Sequence, residues 1–253
     1  MIYKNFILGV CLSLLVPACQ NRKSSAATIK KIPVSKSTDI QAAQLQSEST
    51  ASKKDTLDAE ITQFLEENNY MIQYEAVGFL NKDNFKDKVL ILQENDEESK
   101  SLQRLTIILL GKKQGFELYK KSYTIMPPEY NDDNYKAFDT EDVEIEKNKI
   151  IFDLYAVGPN GHISFEFIFQ NNNLQLHEFT GYFMGAGSHT EYIYTPKNQT
   201  NGILKETIIN TMEDEMPSTT KSYTIKLESP PTFESFDYKI FLDELFRQFG
   251  DKQ

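Results

Sequence analysis

The sequence predicts an α+β fold, mostly β, with antiparallel sheets flanked by an N-terminal and a C-terminal helix. Three observations predict it. Short runs rich in Val, Ile, Leu, Phe and Tyr recur through the middle of the chain, bounded by Asn, Asp, Gly and Lys clusters. Apolar residues at helical spacing are clear only near residues 57–65 and 238–249. No internal period of about 20–50 residues is visible, which argues against a propeller. A sandwich and a rolled meander both fit.

The elements follow in order. Leu57, Ile61, Phe64 and Leu65 mark one face of a helix that ends near Asn68-Asn69. Strands are expected at Met71–Val77, Val89–Gln93, Arg104–Leu110 and Phe116–Tyr123, with turns at Asn95-Asp96 and Lys113–Gly115. Residues 127–142 (PPEYNDDNYKAFDTED) read as a polar, solvated loop rich in acids. Further strands are expected at Val143–Ile145, Lys149–Ala156, Ile163–Gln170 and Leu174–Phe179. Asn171-Asn172-Asn173 makes a tight hairpin between the last two, because asparagine tolerates positive φ. Strands continue at Glu191–Thr195, Leu204–Asn210 and Ser222–Leu227, although residues 203–212 fit a helix equally well. Ser235 is placed to cap a final helix with Tyr238, Phe241, Leu242, Leu245, Phe246 and Phe249 as its buried stripe, stopped by Gly250.

Composition bounds the function. The chain has 253 residues and a net charge of −10, which argues against nucleic acid as a partner, since a phosphate polyanion requires a basic footprint. Two cysteines cannot make a disulfide-stapled miniprotein. No run reaches the roughly 18 apolar residues of a spanning helix.

The first residues read as an address. Lys4 precedes an apolar run, Phe6–Val16, too short to span a bilayer and suited to the core of a secretion signal. Val16-Pro17-Ala18-Cys19 resembles a bacterial lipobox, in which cleavage before the cysteine is coupled to attachment of diacylglycerol to its thiol. Val16 and Ala18 match that pattern and Pro17 departs from it. An ordinary cleaved signal and an uncut anchor are the other readings. The resemblance implies a signal peptide at 1–18, lipidated Cys19, and a mature chain with no second thiol, because Cys11 leaves with the signal. Acyl chains add roughly 0.8 kcal/mol per buried CH₂, and two or three of them anchor a protein stably. Gln20 stands where inner-membrane retention often uses aspartate, which favours the outer membrane of a Gram-negative cell envelope and leaves the leaflet open.

Residues 20–54 contain no Phe, Tyr or Trp and read, with Cys19, as a flexible tether. Such a segment spans about 30–35 Å root-mean-square and ~115 Å fully extended. Its seven cations and two acids give +5, and Lys4 adds one more; the total of −10 therefore leaves −16 on a single globular domain over 55–253. A basic tether beside anionic lipid suits that arrangement, and acidity that simply keeps the body soluble is the plainer account. Asp55-Thr56-Leu57 resembles a short acceptor for O-linked sugar, and the same residues suit an N-cap.

The most distinctive internal stretch is GFLNKDNFKD followed by VLIL, beginning at Gly78. It resembles the aspartate loop of FG-GAP-type repeats. Asn81, Asp83 and Asp87 match the ligand positions, whereas Phe79 replaces the first aspartate and Asn84 the usual glycine. The resemblance implies a degenerate calcium loop; calcium needs six to eight oxygens, and three side chains alone fall short. In the alternative, those side chains satisfy their own backbone turn. The order of loop, VLIL strand and the two following hairpins is similar to that of uncharacterised bacterial envelope lipoproteins over roughly residues 70–230. That likeness implies a shared fold and location and brings no activity with it.

Few residues suggest catalysis. His162, His177 and His189 are the only histidines, and His177 with His189 is the one weak candidate site, flanking the glycine-containing segment 181–187. No HExxH, CxxC or GxSxG motif is present, and Gly185-Ala186-Gly187 lacks the helix and lysine of a phosphate loop. No catalytic residue and no resident metal are therefore assigned. Six acids crowd residues 127–142, and a glycosidase would need two of them about 5–9 Å apart in a cleft. The reading that emerges is a lipid-anchored, non-enzymatic envelope protein whose body binds another macromolecule, an envelope protein or glycan, or serves as an accessory subunit. The alternatives are a hydrolase of envelope glycan or peptide and a calcium-stabilised module.

Overall fold

Alternation of apolar and polar residues builds two antiparallel sheets in the computed structural model, which describes residues 59, 61–95, 103–158 and 160–250. The expected signal peptide, Cys19, the tether and Asp55-Thr56-Leu57 lie outside the described residues. The first sheet contains β1 (Tyr70–Gly78), β2 (Asp87–Glu94), β3 (Leu105–Gly111) and β4 (Phe116–Ser122) in that spatial order. The second contains β5 (Thr140–Glu146), β6 (Lys149–Tyr155), β7 (His162–Gln170), β8 (Asn173–Met184), β9 (Ser188–Pro196), β10 (Asn201–Asn210) and β11 (Ser218–Lys226). Its spatial order is also its chain order. Both sheets are meanders, and the mostly-β expectation with a helix on each side holds.

The two central strands of the small sheet are buried on both faces, which explains why β2 and β3 read as unbroken apolar runs. Val89, Ile91, Ile108 and Leu110 join the main core with the large sheet. Leu90, Leu92, Leu105, Ile107 and Leu109 turn the other way, toward Ile61 and Leu65 of helix α1 (residues 61–67). Where β1 meets β5 the contact is close: a Cβ on Gly78 would lie 2.5 Å from the Ile145 side chain.

The large sheet buries one face, and its strands alternate accordingly. Phe152, Phe165, Phe167, Phe179, Tyr194, Leu204 and Ile225 point inward. Helix α2 (Tyr238–Gly250) lies on this face, with the Phe241 ring 5.2 Å from Phe179 and 5.3 Å from Tyr194. The Asn171-Asn172 turn is as expected, with φ of 52° and 55°.

One open alternative is decided and two expectations are corrected. Residues 201–210 form a strand paired on both edges and not a helix; β-branched Ile and Thr with sheet partners on either side override the helical alternative. Strand β8 runs on past Phe179 to Met184, because Gly181 packs beneath the Phe183 ring without breaking the ladder to Tyr192. Asp237, not Ser235, caps α2: its Oδ1 accepts the backbone N–H groups of Lys239 at 2.8 Å and Ile240 at 3.2 Å. Ser235 instead closes the preceding turn with Thr232.

Candidate functional site

The aspartate loop folds onto its own backbone. Asp87 is fully buried at the start of β2, where Oδ2 accepts the N–H of Leu80 at 2.7 Å and Oδ1 accepts that of Gly111 at 2.9 Å. Asn81 Oδ1 accepts Asp83 N–H, and Asp83 Oδ1 accepts Phe85 N–H. These are turn-capping bonds. The three side chains predicted to face an ion thus face amides, and Asp87 ties the loop to the end of β3. Among the described residues no group of three His, Cys, Asp or Glu side chains has metal-binding placement.

The histidines do not converge. His177 is exposed, at the point in β8 where the register against β7 shifts between Glu166 and Phe167. His189 pairs with Met184, seven residues further along the same strand, or roughly 23 Å at the strand rise. Its Nδ1 meets the Tyr182 hydroxyl at 2.5 Å. His162 pairs with Asp153 elsewhere on the solvent face.

The acidic segment at 127–142 is not simply solvated. Glu141 belongs to β5 and its carboxylate is wholly buried, as is the guanidinium of Arg104 that it meets. The pair is bidentate, with Nη1–Oε2 at 2.6 Å and Nη2–Oε1 at 2.9 Å. Arg104 Nε also donates to the Pro127 carbonyl at 2.6 Å, and Nη1 donates to Gln73 Oε1 at 3.1 Å. Gln73 is the residue skipped in the β1–β2 register, and its amide continues to Glu129 at 2.9 Å. A charge pair so placed joins the two sheets. Burial, and then the Glu141 carboxylate, push the nearby Tyr74 phenol up to about 12. Of the other acids in the segment, Asp139 accepts Val157 N–H and Asp142 accepts Val143 N–H.

A concavity lies where the sheet itself opens. From Phe179–Tyr194 to Met184–His189, β8 and β9 are paired; before Phe179 the ladder stops, and residues 173–178 keep strand partners, among the described residues, only on β7. Two local causes act together. The irregularity at His177 bends β8, and Pro196 at the end of β9 has no N–H with which to continue the ladder. The strands diverge, leaving a cavity of about 520 Å³ whose walls include Leu174, Leu176, His177, Tyr194, Lys197 and Pro230. That volume falls within the ordinary range of ligand sites. Gln170, Asn173, Gln175, Asn198 and Gln199 border it, and among the described residues no Asp or Glu does.

Tyr194 forms part of the wall and is fully buried, its hydroxyl without a hydrogen-bond partner among the described residues. Its ring occupies the space left by Gly202, where a Cβ would come within 2.4 Å. Burial, followed by the Glu244 charge, raises its phenol to about 12. A second concavity, about 350 Å³ and mostly apolar, lies between α1 and the outer face of β3–β4, walled by Phe64, Leu105, Ile107, Leu109 and Leu118.

Sequence reasoning missed the cleft, yet it left a trace. Inward residues fall at 174 and 176 and then at 179 and 181, and that change of phase marks an extra residue in the strand. The Arg104–Glu141 pair left no such trace, because nothing in either local pattern sets these two charges apart from their neighbours. No protein-family model matches the chain, and no curated protein or solved structure shows significant similarity to it.

Proposed function

We infer that the chain is a lipid-anchored envelope protein, held through Cys19, whose acidic β-rich body is a non-enzymatic module that binds another macromolecule. The observation that carries the binding role is the cleft between β8 and β9, a ligand-sized opening lined by amides, a lysine and prolines. Two further observations favour binding over hydrolysis. His177 and His189 lie far apart on the sheet, and Glu141, Asp139 and Asp142 are engaged in holding backbone or Arg104. The lipobox-like segment and the tether support the cellular placement.

The test is a photo-crosslinking residue placed at Gln199, on the cleft, or at Lys147, on the remote β5–β6 turn, in intact cells. A discrete adduct from position 199 alone is expected. Equal labelling from both positions, or none from either, overturns the reading. Release of product from envelope glycan or peptide by the purified protein would put the hydrolase in its place.

A further inference from the structure

The cleft exposes more than side chains. Backbone N–H and C=O groups are obligatory hydrogen-bonding groups, and alternate residues of a strand direct them to opposite edges. Residues 173–178 of β8 pair with β7 on one edge and, among the described residues, have no strand on the other, although both neighbours of the opening belong to the same sheet. Natural sheets blunt free edges with lysine, proline or an inward charge. The stretch Asn173-Leu174-Gln175-Leu176-His177-Glu178 carries neither lysine nor proline, and its one carboxylate, Glu178, stands at its end. Those guards stand across the gap, as Pro196 and Lys197.

We propose that an extended peptide segment of the partner enters this cleft and adds as a strand to the free edge of β8 at residues 173–178. Strand addition rests on the binding role proposed above and names the chemistry of its ligand. Main-chain groups repeating at about 3.4 Å are matched by another extended main chain, and strand addition is a recurring mode of peptide recognition. The cleft selects within that class by charge. Lys197 is the one Lys, Arg, Asp or Glu among the described residues lining the cavity, whereas Glu178 stands at the end of the edge next to Phe179, so an acidic residue is favoured where the segment passes Lys197. His177, Gln175 and Gln199 supply polar contacts beside the backbone pairing.

The experiment uses the purified full-length chain. Peptides of about twelve residues, long enough for a strand with flanks, are selected from a random displayed library. The best is measured by hydrogen exchange and by titration, alongside a copy N-methylated at alternate backbone nitrogens. Amide exchange within 173–178 is expected to slow at least tenfold in the complex, N-methylation to weaken binding at least tenfold, and Lys197→Glu to weaken an acidic peptide several-fold. Undiminished binding by the N-methylated copy, or protection elsewhere than β8, overturns strand addition. A panel of envelope oligosaccharides forms the second arm. Oligosaccharide binding at the cleft without peptide binding overturns this inference and leaves the binding role standing, whereas no binding in either arm removes the cleft as a binding site.

Discussion

Arg104 and Glu141 show what a single buried contact does in this fold. Neither side chain touches solvent, and the pair links the start of β3 to β5. Removing one partner strands the other charge, which typically costs about 3–5 kcal/mol, whereas an apolar replacement of both is often neutral. Arg104→Met should therefore lower unfolding free energy in urea by about that amount, and Arg104→Met with Glu141→Leu should recover most of it. Asp87 acts on a smaller scale. Without its carboxylate the buried amides of Leu80 and Gly111 would lack an acceptor, at about 1–3 kcal/mol each. With its oxygens so engaged, the melting temperature should stay the same in excess calcium and in chelator; a calcium-dependent rise would restore the metal reading.

The tyrosines set an alkaline limit. Burial comes first and the Glu206 carboxylate second in raising Tyr192 to about 12, and Tyr74 and Tyr194 are raised as far. An unfolded tyrosine ionises near 10, so the fold holds the proton more tightly than the unfolded chain does. The stabilisation is complete below about pH 10 and is lost as pH rises toward 12. Tyrosinate absorbance should consequently rise in two stages, exposed residues first and buried ones together with loss of the fold.

At the scale of elements, α2 closes the open half of the large sheet. Phe241 packs against Phe179, Tyr194 and Phe236, so Phe241→Ala should cost about 3–5 kcal/mol. Asp237→Ala, which removes only the cap, should cost about 1 kcal/mol, and Ser235→Ala should cost less. Thermal unfolding of the three variants would order them. The same elements show what a sequence discloses. The Asn171-Asn172 turn was legible because two positive φ values suit asparagine, and α2 was legible from its stripe. Residues 203–212 were ambiguous because only the partners on either side decide between strand and helix. The cap was misplaced by two residues because Ser235 and Asp237 are both good caps and tertiary packing chose between them.

At the scale of the whole molecule, the proposed anchor and the body make separate predictions. Cys19→Ala should move the protein from the membrane fraction to the soluble one, and continued membrane residence would remove the lipid attachment. That expectation stands on the leading apolar run and the residues before Cys19, a contiguous stretch that a sequence displays directly. The cleft has no such contiguous signature. Its walls come from three stretches, 168–177, 194–199 and 230–232, and only folding brings them together.

Both sheets keep their strands in chain order. Each hairpin after the first in a sheet therefore finds its neighbour already laid down, and contacts between adjacent segments favour rapid folding. A polypeptide emerging end-first, from a ribosome or through a translocation pore, would assemble like a zip fastener, and only when α2 arrived would the aromatic face of the large sheet be sealed from chaperones and proteases.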